Sequence, residues 1–196
     1  MTPDGAPRDA TLSIKISLAG DSGVGKTSLV RRFVSNTFDD GYISTLGAKV
    51  SSIRFSVADP RRQGESLEVS AAIWDIMGSG RLREVLRDAY FHGAQGLLLV
   101  ADATRPETIM GLPKWAEAVT SIAGRVPTVV LLNKSDVAEE VPVSSNRLET
   151  LATPYGWKSM TASAKTGENV PAAFELVTRL YVDTLRGAVA RAAPAD

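Results

Sequence analysis

The sequence predicts a three-layer α/β domain, a mostly parallel six-stranded sheet with helices on both faces. Three observations carry this prediction. Strand and helix patterns alternate between residues 11 and 186. Two strands, Leu97–Ala101 and Thr128–Leu132, are continuously apolar, as strands buried on both faces are. A glycine-rich loop joins the first strand directly to the first helix.

In the first strand Leu12, Ile14, Ile16 and Leu18 alternate with Ser13, Lys15 and Ser17. Leu29, Val30, Phe33 and Val34 then recur at helical spacing. Ile53, Phe55 and Val57 form a second strand, and Leu67, Val69, Ala71 and Ile73 a third that ends at Trp74-Asp75. The turn-like run Asp59–Glu65 between them predicts a hairpin. After the fourth strand, Thr104-Arg105-Pro106-Glu107 reads as a capping box with proline in the first turn, opening a helix to about Ile122. A weaker helix is expected over Ser144–Leu151 and a short last strand over Lys158–Ala162. A final helix carries the stripe Phe174, Val177, Tyr181 and Leu185. Residues 1–10 are expected to be a flexible lead, 11–186 the domain, and 187–196 a frayed tail.

The loop reads Gly20-Asp21-Ser22-Gly23-Val24-Gly25-Lys26-Thr27-Ser28, the spacing G-x-x-x-x-G-K-[ST] between a strand and a helix. Such a loop wraps backbone N–H groups around nucleotide phosphates, and its glycines allow close approach. Lys26 is placed to reach the β- and γ-phosphates, and Thr27 to offer a hydroxyl to Mg²⁺. The helix that follows points its positive end at the same anions. Trp74-Asp75-Ile76-Met77-Gly78 closes the third strand with a D-x-x-G pattern. Its Asp75 is a Mg²⁺ candidate and its Gly78 N–H a γ-phosphate donor. Asn133-Lys134-Ser135-Asp136 follows the fifth strand, and a carboxylate there can accept the paired N1–H and amine donors of guanine, which adenine lacks. Ser163-Ala164-Lys165 follows the last strand, where a backbone N–H can donate to guanine O6 and Lys165 can lie along the base. Phe38 packs either on the base or ribose edge or in the core.

Composition bounds the alternatives. The chain has 196 residues, 44% hydrophobic and 22% charged, enough for one domain with a core. Lys+Arg and Asp+Glu both number 22, which argues against a nucleic-acid footprint or polybasic membrane patch. Without cysteine, disulfides, thiolate metal sites and a prenylated end are not expected. The Met1–Asp9 segment lacks a secretory pattern and no apolar run spans a bilayer, so a cytoplasmic protein without a direct membrane anchor is expected.

Taken together, the chain resembles the Ras superfamily of small GTPases, and most closely its Rab branch, over residues 11–186. The motifs stand in family order: the phosphate loop, Tyr42-Ile43-Ser44-Thr45-Leu46-Gly47, Trp74-Asp75 to Gly78, Asn133–Asp136 and Ser163–Lys165. Ala89-Tyr90-Phe91-His92-Gly93-Ala94 and Thr166-Gly167-Glu168-Asn169-Val170 add to the likeness. The resemblance implies a P-loop G domain that binds GTP and GDP with Mg²⁺. It implies that Tyr42 covers the phosphates and that Thr45 coordinates Mg²⁺ by its hydroxyl and the γ-phosphate by its N–H. Residues 38–48 and 76–90 are then two switch segments that effectors and regulators read. His92 matches a position with no catalytic role.

Two departures matter. The family usually places glutamine after the D-x-x-G glycine to orient the attacking water, whereas this chain has Gly78-Ser79-Gly80. The serine side chain is shorter by about two bonds and lacks a carbonyl acceptor. Slow intrinsic hydrolysis is therefore expected, with water positioning left to a partner or to Arg81 or Glu84. Arg81 and Arg83 are either stabilisers of transition-state charge or solvated. Ile76 and Met77 add bulk near the phosphates. The second departure is the cysteine-free tail. Arg61 and Arg62 at the hairpin tip are either a partner surface or a solvated turn. The leading expectation is a GTP-hydrolysing switch in which Lys26, Thr45, Gly78 and Ser79 serve the reaction. A GTP-held scaffold with negligible hydrolysis and an ATP-dependent enzyme are the alternatives, and Asn133–Asp136 argues against ATP.

Overall fold

A computed structural model describes residues 11–39, 48–59, 64–76, 88–137 and 145–192. The chain runs β1 (Leu12–Ala19), α1 (Lys26–Ser35), β2 (Ala48–Ala58), β3 (Ser66–Ile76), a helical turn over 88–91, β4 (Gly96–Asp102), α2 (Glu107–Met110), α3 (Leu112–Ala123), β5 (Thr128–Asn133), α4 (Ser145–Ala152), β6 (Lys158–Thr161) and α5 (Val170–Ala192). The six strands form one sheet in the order β2-β3-β1-β4-β5-β6. Only β2 is antiparallel, paired with β3 from Ala48↔Ile76 to Ala58↔Ser66 as the hairpin expectation requires. All other neighbours are parallel.

The patterning follows from which strands are covered on both sides. In β4 and β5, Leu98, Val100, Val129 and Leu131 join the cluster under α1 and α5. Leu97, Leu99, Val130 and Leu132 join the cluster under α2, α3 and α4. These strands are thus apolar between their ends, where Asp102, Thr128 and Asn133 are the buried polar residues. In β3 Leu67, Val69, Ala71 and Ile73 enter a core cluster, while Glu68 is exposed and Ser70, Ala72 and Trp74 are half-buried, giving strict alternation. Phe33 stacks on Phe174 with centroids 4.1 Å apart and meets Phe55 edge-on, which locks α1 to α5 and to β2.

Three expectations differ from the structure. Thr104 does not cap a helix; its Oγ1–H and N–H both bind Asp102 Oδ1, and helix begins only at Glu107. The expected single helix is divided at Gly111, because Pro113 has no N–H to offer the Ile109 carbonyl. In α5 Phe174 and Val177 are buried and Tyr181 packs on the core as expected, but Thr178 and Val182 continue the buried line from Phe174 while Leu185 is 40% exposed. Thr178 fits that line because its hydroxyl donates to the Phe174 carbonyl at 2.8 Å, a polar member that a search for apolar periodicity passes over. Helix α5 runs on to Ala192. Among the described residues no helix is long and apolar enough to cross a membrane. Residues 1–10 and the hairpin tip with Arg61 and Arg62 lie outside the described residues.

Ser17, in the middle of β1, is fully buried and its Oγ has no hydrogen-bond partner. Ser17→Ala removes a desolvated hydroxyl without leaving a cavity, so unfolding free energy should rise by about 1 kcal/mol. Equilibrium denaturation checks this; a loss of similar size would show that the hydroxyl is satisfied.

Candidate functional site at the carboxyl ends of the strands

The loops after β1, β4, β5 and β6, with Asp75 near the end of β3, meet at one edge of the sheet. The chain leaves β1 towards α1 on one face and β4 towards α2 and α3 on the other, opening a crevice where these sheets bind ligands. Gly20 stands at the floor of the crevice with φ +144°, and a Cβ there would lie 2.2 Å from the Val100 carbonyl oxygen of β4. Only glycine lets the loop sit this close to the sheet.

Each turn of the phosphate loop is held by a donor from elsewhere in the fold. Lys26 Nζ donates to the carbonyls of Gly20 and Asp21, both at 2.8 Å. Arg105 Nη2 donates to the Ser22 carbonyl at 2.9 Å, and Asn133 Nδ2 to the Val24 carbonyl at 2.8 Å. In a trans peptide the C=O and the next N–H point in opposite directions. Pulling the Ser22 and Val24 carbonyls outward therefore turns the N–H groups of Gly23 and Gly25 into the loop. Gly25 has φ +97°, and a Cβ there would lie 2.2 Å from Asn133 Nδ2. The same Gly25 starts α1 without a side-chain cap, and the first turn of α1 carries no acidic residue. The start of α1 thus has no capping side chain and no acidic group, an arrangement that favours an anion there.

Burial shifts the two charges of this site in ways that oppose their ionisation. Lys26 is 6% exposed, and desolvation pushes its ammonium down to about 8 against the pull of Asp75 and Asp21; Arg105 adds to the lowering. Desolvation likewise raises the Asp75 carboxyl, opposed by the Thr27 hydrogen bond and by Lys26 and Lys49. Thr27 Oγ1 donates to Asp75 Oδ2 at 2.5 Å, while Asp75 Oδ1 is buried with no partner. A hydroxyl beside an orphaned carboxylate oxygen is a donor set that suits a hard divalent cation such as Mg²⁺.

On the other side of the crevice Asn133 spans two loops, its Oδ1 accepting the Ala164 N–H at 3.0 Å. Lys134 adopts φ +66° and its Nζ donates to Asp102 Oδ2 at 2.7 Å. Ser163 is fully buried, and its Oγ donates to Asp136 Oδ1 at 2.6 Å, leaving the exposed Asp136 carboxylate braced at one oxygen. The Ala164 N–H is committed to Asn133, and the Lys165 N–H has no acceptor among the described residues. Phe38 is half-buried against the α1–α5 core. Asn133 and Ser163, expected as ligand contacts, thus make contacts within the protein that position Gly25 and Asp136.

Four partners of the site were not legible as motifs. Arg32, on α1, holds the Ala164 and Lys165 carbonyls at 2.9 and 2.5 Å. Trp115, on α3, donates Nε1–H to Asp21 Oδ1 at 2.8 Å. Arg105 and the buried Asp102 bind each other and brace Ser22 and Lys134. Tyr42, Thr45, Gly78 and Ser79, with most of both expected switch segments, lie outside the described residues.

Residues 15–183 match the Ras family. The chain is similar to Ras-related protein Rab-8B from Bos taurus, with 37% identity over 166 residues, 84% of this chain and 76% of that protein. It is 36% identical to Rab-8B from Homo sapiens over the same shares. It is 37% identical to Ras-related protein Rab-8A from Mus musculus, again over 84% and 76%. This chain is a Ras-family GTPase of the Rab branch. As a member of that family it is a GTP-binding switch, and the six-stranded sheet is its G domain.

Asn133→Ala would strand the buried Val24 carbonyl and Ala164 N–H together. A loss of about 3 kcal/mol in unfolding free energy is expected. Denaturant unfolding of the purified chain measures it, and a loss under about 1 kcal/mol would mean both groups find new partners.

Proposed function

We propose that the crevice holds GTP or GDP with Mg²⁺, and that slow hydrolysis switches residues 38–48 and 76–90 between two arrangements read by effectors and regulators. The observation that carries this reading is the pairing of an uncapped, inward-turned phosphate loop with an exposed Asp136 carboxylate braced by Ser163. The N–H groups of residues 21–25, with those of Thr27 and Ser28, line the phosphates, and Lys26 leaves its loop carbonyls to pair with the β- and γ-oxygens. Thr27 and Asp75 hold Mg²⁺ together with Thr45, and the ion neutralises charge on the phosphates. Asp136 accepts the two guanine donors, Lys134 and Lys165 flank the base, and the unengaged Lys165 N–H is suited to O6. Tyr42 closes over the phosphates, Phe38 flanks the ribose side, and Gly78 N–H meets the γ-phosphate. With charges balanced at 22 each, the partners are proteins rather than nucleic acid, and the cytoplasm is the expected compartment.

Ser79 favours slow turnover and, at the limit, a second reading: a GTP-held binding module with negligible hydrolysis. Single-turnover conversion of bound GTP, followed by chromatography, tests both beside Ser79→Gln. Slow conversion by the wild type with a variant faster by about tenfold is expected. GTP intact in the wild type after hours favours the binding module. A hundredfold slowing in Ser79→Ala would show that the serine itself positions water, contrary to this reading.

Lys26 links binding to protons. In the free chain its pKa is about 8, so between about 8 and 10.5 the folded site holds fewer protons than the unfolded chain and stability rises with pH through that window. Phosphate oxygens raise the pKa again, so GDP binding in that window should take up a proton, and the uptake at Lys26 should vanish below pH about 7. Calorimetry in buffers of different ionisation enthalpy reads the uptake; buffer-independent heats in the window would mean that Lys26 is already charged.

A further inference from the structure

We propose that Arg105 is a positioning residue for nucleotide phosphate: anchored on the buried Asp102, it holds the Ser22 carbonyl outward and so aims the Gly23 N–H at the β-phosphate. This rests on the nucleotide reading above and deepens it.

The anchor is unusually complete. Asp102 ends β4 with no exposed surface. Its Oδ1 accepts the Thr104 N–H and hydroxyl at 2.9 and 2.7 Å. Its Oδ2 accepts Arg105 Nε at 2.9 Å and Lys134 Nζ at 2.7 Å. The Asp102 N–H is itself bound by Thr108 Oγ1, which also donates to the Arg105 carbonyl at 2.7 Å. Neither the carboxylate nor the Arg105 backbone is left free to turn. The guanidinium is planar, and its Nε and Nη2 lie along one edge of the fork. With Nε fixed on Asp102, Nη2 is delivered to the Ser22 carbonyl at 2.9 Å. The trans peptide between Ser22 and Gly23 then fixes the direction of the Gly23 N–H.

One carboxylate therefore serves both ends of the ligand. Lys134, on the base side, and Arg105, on the phosphate side, share Asp102 Oδ2. The segment from Asp102 to Trp115 grips the loop a second time through Trp115 Nε1 on Asp21 Oδ1. Asp21 and Ser22 are thus held from the β4–α3 side, while Lys26 and Asn133 hold the loop from α1 and β5. Arg105 reaches the carbonyl that precedes Gly23.

The test compares GDP with GMP, which lacks the β-phosphate, on full-length wild type, Arg105→Ala and Arg105→Lys, with affinities from competition against a fluorescent guanine nucleotide. Arg105 is partly exposed, with a side chain 38% accessible, so both variants should fold, and their thermal midpoints confirm it. Arg105→Ala should weaken GDP by about tenfold, the loss of one charge-assisted hydrogen bond, and leave GMP within about twofold. Arg105→Lys keeps the charge without the planar edge and should recover less than half of the loss on a logarithmic scale. Equal weakening of GDP and GMP, no weakening at all, or full recovery by lysine each overturns the role assigned to Arg105. Wild type that binds neither nucleotide overturns the nucleotide reading and this inference with it.

Discussion

The outward hold on the carbonyls of the phosphate loop is the constraint on which the site depends. A loop of glycines and small residues has no intrinsic reason to turn its N–H groups one way. Direction comes from Arg105 on the Ser22 carbonyl and Asn133 on the Val24 carbonyl. Asn133 ends β5 and Arg105 is anchored on Asp102, which ends β4, and Asp102 and Asn133 are paired neighbours in the two strands. The rigid centre of the sheet, where every residue of these strands is buried, is thereby transmitted to a flexible loop.

The same arrangement explains the unfavourable charges. Lys26 and Asp75 are both desolvated enough to shift against ionisation. Their combination with an uncapped α1 and an unpartnered Asp75 oxygen makes sense for a site completed by a polyanion and a divalent cation. An apolar filling would satisfy none of these groups. The conflict between local chemistry and burial thus marks the functional end of the sheet, as expected where a fold yields stability to function.

Asn133, Ser163 and Arg32 illustrate how binding side chains are supported. Ser163 fixes one oxygen of Asp136, Asn133 joins the phosphate loop to the Ala164 segment, and Arg32 ties that segment to α1. The base side and the phosphate side are connected twice, through Asn133 and through Asp102. The two sides of the crevice are thus joined through the protein by fixed hydrogen bonds.

By itself the sequence determined the strand and helix order, the hairpin, the doubly buried strands and the loops bearing Lys26, Thr27, Asp75 and Asp136. These features rest on local signals: period, turn chemistry and motif spacing. It misread Thr104 as a cap and took Leu185 for a core position, because the competing partners, Asp102 and the Thr178 line, are set by packing. The tertiary structure alone decided that Arg105 meets Ser22 across 83 positions, Trp115 meets Asp21 across 94 and Arg32 meets Ala164 across 132. No local pattern encodes such pairs, since an arginine or tryptophan on a helix looks the same whether it faces solvent or a loop. Which carbonyl each donor finds is fixed only when parallel pairing brings the ends of β1, β4, β5 and β6 to one edge.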